Sequence, residues 1–410
     1  FRTAQVCSWN LIGRVNMPKK NRKKAVPKNR YYDYNLVAIV ILLTCFGLVM
    51  LYSTSAYTSQ VNYEDDMQFF GRQAVVSVLS ILGALFISRF DYHVLYYFSG
   101  GIYVASMILM FLVKFSPLGV EVNGARRWLA VIPGTSLQFQ PSEVAKIAAI
   151  TFIPCLIIKM GRKVKTLKGS VFLLCTGAIL ALGAFRLTEN LSTGLIIGAI
   201  TVIMIFIAHP KTRPFIIGGV ILLILVIAGR LILQKALGNV AVSTENLENF
   251  RLERILVWLN PEQYSSEGGY QIMQALYAIG SGGFFGKGLG NSVQKLGPVP
   301  EAQNDMIFSI VCEELGVFGG LVVLILFGYL LYRLFFIAEN APDFYGSLVV
   351  GGIMIHIALQ VILNICVVLN WIPTTGITLP FISYGGTSIL FLMLEMGIAL
   401  SVSRQIKFTE

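Results

Sequence analysis

Ten apolar runs separated by polar segments dominate the chain. They fall at about 34–54, 73–89, 94–113, 143–159, 169–185, 192–209, 214–233, 305–337, 345–369 and 385–403. A helix needs about 20 apolar residues to cross the hydrocarbon core. Each run is near that length, so the pattern predicts an all-α integral membrane protein of about ten spanning helices. The first run, from about Asn35 to Ser53, is long enough to span and no small-residue cleavage site follows it, so it reads as a span and not as a signal peptide. Between the seventh and eighth runs lies the longest connection, about 234–304. Within it Leu247, Phe250, Arg251, Arg254, Ile255 and Trp258 recur at helical spacing. They predict a helix lying in the interface, with Trp258 at the headgroup level.

Composition agrees with this picture. Hydrophobic residues make up 55% and charged residues 13%, against about 25% charged in a soluble domain. Mean hydropathy is +0.72. The formal net charge is +11, from 32 basic and 21 acidic residues. That excess sits in loops beside spans, so it speaks for anionic lipid and topology, and not for nucleic acid. Cys7, Cys45, Cys155, Cys175, Cys312 and Cys366 show no CxxC or Cys/His spacing, which argues against a disulfide framework or a metal site. His93, His209 and His356 are scattered.

Charge also orients the chain. Lys19, Lys20, Arg22, Lys23, Lys24, Lys28 and Arg30 precede the first span. Arg162, Lys163, Lys165 and Lys168, then Lys211 and Arg213, then Arg404 and Lys407 fall on the same side in a ten-span count. Positive-inside makes that side cytoplasmic and puts both termini there. Residues 1–33 are a basic tail, and 406–410 a short second tail. Met17 opens the basic stretch, so residues 1–16 are expected to be upstream or cloning-derived sequence and are left out of the fold reading. The long connections, about 114–142, 234–304 and 370–384, all face outside, which is where chemistry is expected.

Ionisable groups inside apolar runs are the candidates. PVPEAQNDMIFSIVCEELG (298–316) places Asp305 at the mouth of the eighth span, and Glu313 and Glu314 within it. A carboxylate at mid-membrane costs roughly 2.5–3.5 kcal/mol on insertion scales. Asp305 suits a helix N-terminus, as a cap or beside the dipole. Glu313 lies about 12 Å deeper and about 80° round the helix, and Glu314 about 180° round. The three therefore cannot share one site. Asp305 is expected to face an outward cavity, and one glutamate to pair within the bundle, with Lys146 as a partner.

Three other segments carry polar chemistry. PSEVAK (141–146) starts a span, with Ser142 as expected N-cap and Glu143 and Lys146 paired at i,i+3 or facing a cavity. NGARRWL (123–129) puts Arg126 and Arg127 on the outer side, against the charge rule. Lipid phosphate, a substrate pyrophosphate or a carboxylate such as Glu143 would compensate them. NWIPTTGITLPFISYGGTS (370–388) reads as a re-entrant or capping segment, with Ser383, Tyr384 and Thr387 as polar contacts. GSGGFFGKGLG (280–290) fits neither a P-loop nor a dinucleotide fingerprint and is expected to be a tight hairpin or re-entrant turn packed against spans.

NGARRWL, QPSEVAK, GGYQIMQALYAIGSGGFFGKGLGNSVQKLGPVPEAQNDMIFSIVCEELG and LPFISYGGTS, in this order, resemble the SEDS (shape, elongation, division and sporulation) family over essentially all of 33–405. QKLGPVPEAQND and LPFISYGGTS lean towards its FtsW and SpoVE branch over RodA. The resemblance implies a ten-helix domain over 34–405 and a peptidoglycan glycosyltransferase. Such an enzyme polymerises lipid II on the outer face of the bacterial cytoplasmic membrane and releases undecaprenyl pyrophosphate. It implies as partners a class B penicillin-binding protein and other divisome proteins, with a role in the septal wall. The family's essential Asp, in a PEAHTD-type motif, matches Asp305. The His-Thr before it is Gln303-Asn304 here, so no role passes to that His. In TENLSTG, Glu189 and Thr193 remain while the family's Asp does not. Glycosyl transfer needs a base at the acceptor hydroxyl and charge stabilisation at the departing pyrophosphate. Asp305 is the expected base. Arg126, Arg127, Lys146, Arg251, Arg254 and Lys295 are the expected cations, with Glu143 and Ser383 as further substrate contacts. A divalent cation, magnesium or manganese, is compatible with the pyrophosphate, although no ligand cluster is visible. A lipid II transporter and a non-catalytic scaffold are the rival readings.

Overall fold

The computed structural model describes residues 31–122, 124–130, 138–210, 212–237, 250–264, 269–296 and 299–407. Its helices are α1 (Tyr34–Tyr63), α2 (Gln68–Ile87), α3 (His93–Phe115), α4 (Pro141–Met160), α5 (Leu167–Leu187), α6 (Leu191–Ala208) and α7 (Arg213–Leu237), then α8 (Phe250–Leu259), α9 (Gly269–Gly282), α10 (Ile307–Glu339), α11 (Phe344–Val368) and α12 (Gly386–Ser403). Ten of them, all but α8 and α9, are long and apolar enough to cross a membrane. The helical reading holds, with one addition. The connection after α3 forms a three-stranded antiparallel sheet of β1 (Gly119–Val122), β2 (Ala125–Ala130) and β3 (Gln138–Phe139). The pairing of β1 with β2 sets Glu121 opposite Arg126.

Burial is uneven. In the most apolar windows of α4 and α12, 67% of residues are buried; in that of α7, 0% are. A helix apolar all round is a core helix or a lipid-facing span, and α7 is of the second kind. At the end of the bundle away from Asp305, Asp33 caps α1 by accepting from the Leu36 N–H at 2.9 Å, and pairs with Arg333 of α10 at 2.6 Å. Neither residue was singled out in the sequence.

The long connection between α7 and α10 folds back into the bundle. α9 starts beside the Asp305 turn, where Gln271 Nε2 donates to the Pro300 carbonyl at 3.2 Å. It ends beside Cys312, where a Cβ on Gly282 would stand 2.0 Å from the Cys312 carbonyl oxygen. The chain turns through 283–290 and climbs back to Asp305. Here the structure corrects the eighth run. Its helix begins at Ile307, not at Asp305, and breaks at Gly316, whose φ of 72° and ψ of −171° lie outside the helical region. The glycine-rich turn causes the break, because a Cβ on Gly316 would lie 2.3 Å from the Phe284 carbonyl oxygen. The interrupted helix bonds are replaced across the contact. Lys287 and Gly288 N–H donate to the Glu313 and Glu314 carbonyls at 3.0 and 2.9 Å. Val317 and Phe318 N–H donate to Gly283 and Phe284 at 3.0 and 3.1 Å. Irregular backbone at membrane depth is tolerated only where protein satisfies it in this way. The expectation of a tight hairpin or re-entrant turn at 280–290 matches this arrangement.

Trp258 also departs from expectation. α8 forms where predicted, but Trp258 is buried instead of lying at the headgroups. Its indole N–H donates to the Asn370 carbonyl at 3.2 Å, and the Arg230 guanidinium sits 4.9 Å from the ring centroid. Both the polar edge and the face of the ring are thus satisfied inside the protein.

Candidate active site

Asp305 occupies the turn before α10. It does not cap that helix, whose N-cap is Met306. The residue keeps partial exposure. Burial of its carboxyl, helped by the nearby Glu301, pushes it up to about 6, against the pull of the Asp305 and Met306 N–H groups and of Arg254. Gln271 Nε2 of α9 donates to Oδ1 at 3.4 Å.

The backbone of this turn is held as firmly as its side chain. Asn364 of α11 is fully buried, and its Nδ2 donates both to the Asp305 carbonyl at 2.8 Å and to the Ile377 carbonyl at 2.7 Å. Gln360, one turn away, donates to the Thr378 carbonyl at 3.0 Å. The Tyr384 N–H donates to the Gln303 carbonyl at 2.9 Å. Arg254 Nη1 reaches the Thr374 carbonyl at 3.1 Å, and Ser192 Oγ at the start of α6 reaches the Thr375 carbonyl at 2.7 Å. The 370–385 segment therefore ties α6, α8 and α11 to the Asp305 turn. Asn364 and Gln360 were missed in the sequence. Their signal was the spacing His356, Gln360, Asn364, every fourth residue on one face of an apolar span.

The other expected residues divide by partner. Lys146 pairs with Glu143 at 2.9 Å, both buried. It is not the partner of Glu313 or Glu314, which corrects that expectation. Glu313 accepts from Lys287 Nζ at 2.7 Å, from the Val293 N–H at 3.2 Å and from the Ser292 hydroxyl. Glu314 accepts from Lys295 Nζ at 2.8 Å and from Ser53 Oγ at 2.7 and 2.8 Å. Lys295, expected at the substrate, is buried in this ion pair and also donates to Ser53 at 2.9 Å. Ser383 accepts from the Leu379 N–H at 2.8 Å and so closes a turn within its own loop. Ser142 is not an N-cap. Gln140 holds that position, with Pro141 leading the helix.

Arg126 donates from Nη1 and Nη2 to the Lys114 and Gly119 carbonyls at 3.3 and 3.4 Å. The carboxylate beside this pair of arginines is Glu189 and not Glu143. Glu189 accepts from the Arg126 N–H at 3.4 Å and lies 3.7 Å from Lys114 Nζ. Burial lowers the Arg127 pKa and Glu189 opposes that, while its buried Nε has no hydrogen-bond partner. Arg254 is the expected cation whose field reaches Asp305. The side chain of Arg251 lies outside the described residues. Among the described residues, no group of three or more His, Cys, Asp or Glu is placed to hold a metal ion.

The expected effect of Asn364→Ala follows from its two bonds. The Asp305 and Ile377 carbonyls lose a shared buried donor, and displacement of a reacting group by about 1 Å costs roughly 100-fold in rate. Turnover should fall on that scale with the substrate KM little changed, whereas a fall confined to KM would contradict the role.

Three comparisons bear on this geometry. The family model described as "Cell cycle protein", for FtsW, RodA and SpoVE, matches residues 33–408. Stage V sporulation protein E of Bacillus subtilis is 36% identical over 377 residues, covering 92% of this chain and 98% of that protein. The probable peptidoglycan glycosyltransferase FtsW of Trichlorobacter lovleyi is 36% identical over 376 residues, covering 92% and 94%. Among solved structures, a chain from work on "structural coordination of polymerization and crosslinking by a peptidoglycan synthase complex" superposes with a TM-score of 0.72 at 27% identity, covering 91% of this chain and 98% of its own. The crystal structure of the rod shape determining protein RodA of Thermus thermophilus gives a TM-score of 0.60 at 26% identity, covering 92% and 98%.

Proposed function

The chain belongs to the family of FtsW, RodA and SpoVE and is a peptidoglycan glycosyltransferase, and we propose that Asp305 is the general base with which it polymerises lipid II. The observation that carries this reading is the buried carboxyl in the turn before α10, raised to about 6 and therefore ionised yet basic near neutral pH. In the proposed step the acceptor sugar's 4-hydroxyl gives its proton to Asp305. Its oxygen bonds to C1 of the growing chain's terminal sugar with inversion. The C1–O bond to undecaprenyl pyrophosphate breaks, and the electron pair leaves on the pyrophosphate.

Arg254, beside Asp305, is the first cation for that departing charge, with Arg126, Arg127 and the Glu143–Lys146 pair as further contacts along the same end of the bundle. Lys295 and Ser383 act in this reading by shaping the site, since both are spent on internal bonds. A divalent cation, magnesium or manganese, would supply further charge stabilisation to the departing pyrophosphate, with no cluster of ligands among the described residues to hold it. The positive-inside pattern supports a site facing outside the cytoplasmic membrane. The likeness to a chain of a peptidoglycan synthase complex, one that coordinates polymerization and crosslinking, supports work alongside a cross-linking penicillin-binding protein. The similarity to FtsW and SpoVE supports septal wall synthesis for division.

The test is purified protein in liposomes with labelled lipid II, alone and with its transpeptidase. Glycan chains resolved on a gel are the expected product. Transbilayer movement of lipid II with no polymer formed would overturn the reading in favour of transport.

A further inference from the structure

At the end of the bundle opposite Asp305, the start of α1 and the ends of α2 and α12 frame a cavity of about 420 Å³. Tyr31, Tyr32, Tyr34, Ser88, Arg89 and Arg404 line it. The Tyr32 and Ser88 hydroxyls are 3.4 Å apart, and the Tyr32 and Tyr34 rings meet edge to face with centroids at 5.0 Å. Among the described residues neither arginine has an ion-pair partner, and the acids close by in sequence are committed elsewhere. Asp33 is held by Arg333 at 2.6 Å and by the Leu36 N–H at 2.9 Å. Asp91 is held by His93 at 2.6 Å and by Gln405 Nε2 at 2.9 Å. Among the described residues, two guanidinium groups thus share a cavity with no internal counter-charge.

The cavity's level is marked by an exposed aromatic. Tyr34 is 75% exposed, as expected of a tyrosine where lipid headgroups begin. The positive-inside pattern assigns this end to the cytoplasm, and in the sequence the basic run from Lys19 to Arg30 immediately precedes Tyr31. Basic pockets between spans on that side suit anionic headgroups, and guanidinium forks match phosphate oxygens.

We propose that this cavity binds the phosphate group of an anionic phospholipid, with Arg89 and Arg404 as its cations and the Tyr32 and Ser88 hydroxyls as neutral donors. The bound headgroup clamps the first, second and tenth spans together at their cytoplasmic ends. The proposal stands apart from the catalytic reading, since no residue of the Asp305 site takes part.

The test uses the full chain in nanodiscs of phosphatidylcholine with and without phosphatidylglycerol, with bound lipid counted by native mass spectrometry. The wild type is expected to retain phosphatidylglycerol selectively. In Arg89→Gln/Arg404→Gln its affinity should fall roughly 30-fold, the effect of two cations at a headgroup. Arg89→Lys/Arg404→Lys keeps the charge and should keep the lipid, which separates lost binding from lost folding. Equal retention by the Gln/Gln variant and wild type would overturn the proposal, as would equal release by the Gln/Gln and Lys/Lys variants. Inorganic phosphate alone, in phosphatidylcholine discs, should not raise the melting temperature as phosphatidylglycerol does; if it does, the site belongs to a soluble anion and the lipid assignment fails.

Discussion

Asp305→Asn should abolish polymer formation, lowering turnover by at least about 100-fold, the lower bound for loss of a general base. The amide keeps the size and the approach of Gln271 but cannot take a proton. The same substitution should leave the fold intact or firmer. Burial raises the carboxyl to about 6, so its folded-state pKa lies above the unfolded value. Such a group favours folding when protonated and loses that contribution as pH rises through the folded pKa. At neutral pH the ionised Asp305 therefore opposes folding, and a neutral isostere removes the penalty. Melting at or above the wild-type temperature, together with lost activity, is the expected pair of results. Wild-type activity should climb from below pH 5 to a plateau above about pH 7, with its midpoint set by the raised carboxyl. An Asn variant that still polymerises at the wild-type rate would remove Asp305 as the base.

Lys295→Ala should cause the largest loss of stability. Glu314 is fully buried, and without Lys295 its charge keeps only the Ser53 hydroxyl. Stranding a buried charge costs roughly 3–5 kcal/mol. Lys287→Ala should cost less, because the Lys287 side chain is about a third exposed and Glu313 keeps Ser292 and the Val293 N–H. The paired change Lys295→Met/Glu314→Gln removes both charges and should recover part of the stability lost in the single variant. Thermal melting of the purified proteins checks the order, and a Lys295→Ala protein that melts with the wild type would refute it. Activity should fall as well, because the Lys295–Glu314 pair fastens the arm that leads back to Asp305 onto α10.

Much of the architecture was legible along the chain. Span length and apolarity are local properties, so the ten crossings could be placed one by one. The Glu143–Lys146 pair was legible for the same reason, since three residues along a helix are neighbours on its surface whatever surrounds them. Helix geometry also separated Asp305 from Glu313 and Glu314, because angles round a single helix need no tertiary information.

Partners across the fold were not legible. The sequence offered Lys146 to the buried glutamates, yet their cations come from the re-entrant segment, Lys287 from its turn and Lys295 from its returning arm. It placed Trp258 among headgroups, yet the 370–385 segment supplies the carbonyl that draws the indole inward. It set Asp305 at the head of a continuous span, yet the glycine-rich turn breaks that helix at Gly316 and Asn364 grips the Asp305 carbonyl from α11. By itself, the sequence determined which segments are apolar enough to span and which carboxylate stands at the mouth of the eighth span, since solvation and helical periodicity act residue by residue. Only the tertiary structure decided which charges neutralise one another and what holds Asp305 in place. Those choices depend on where a distant segment folds back to satisfy backbone and side-chain groups that water cannot reach.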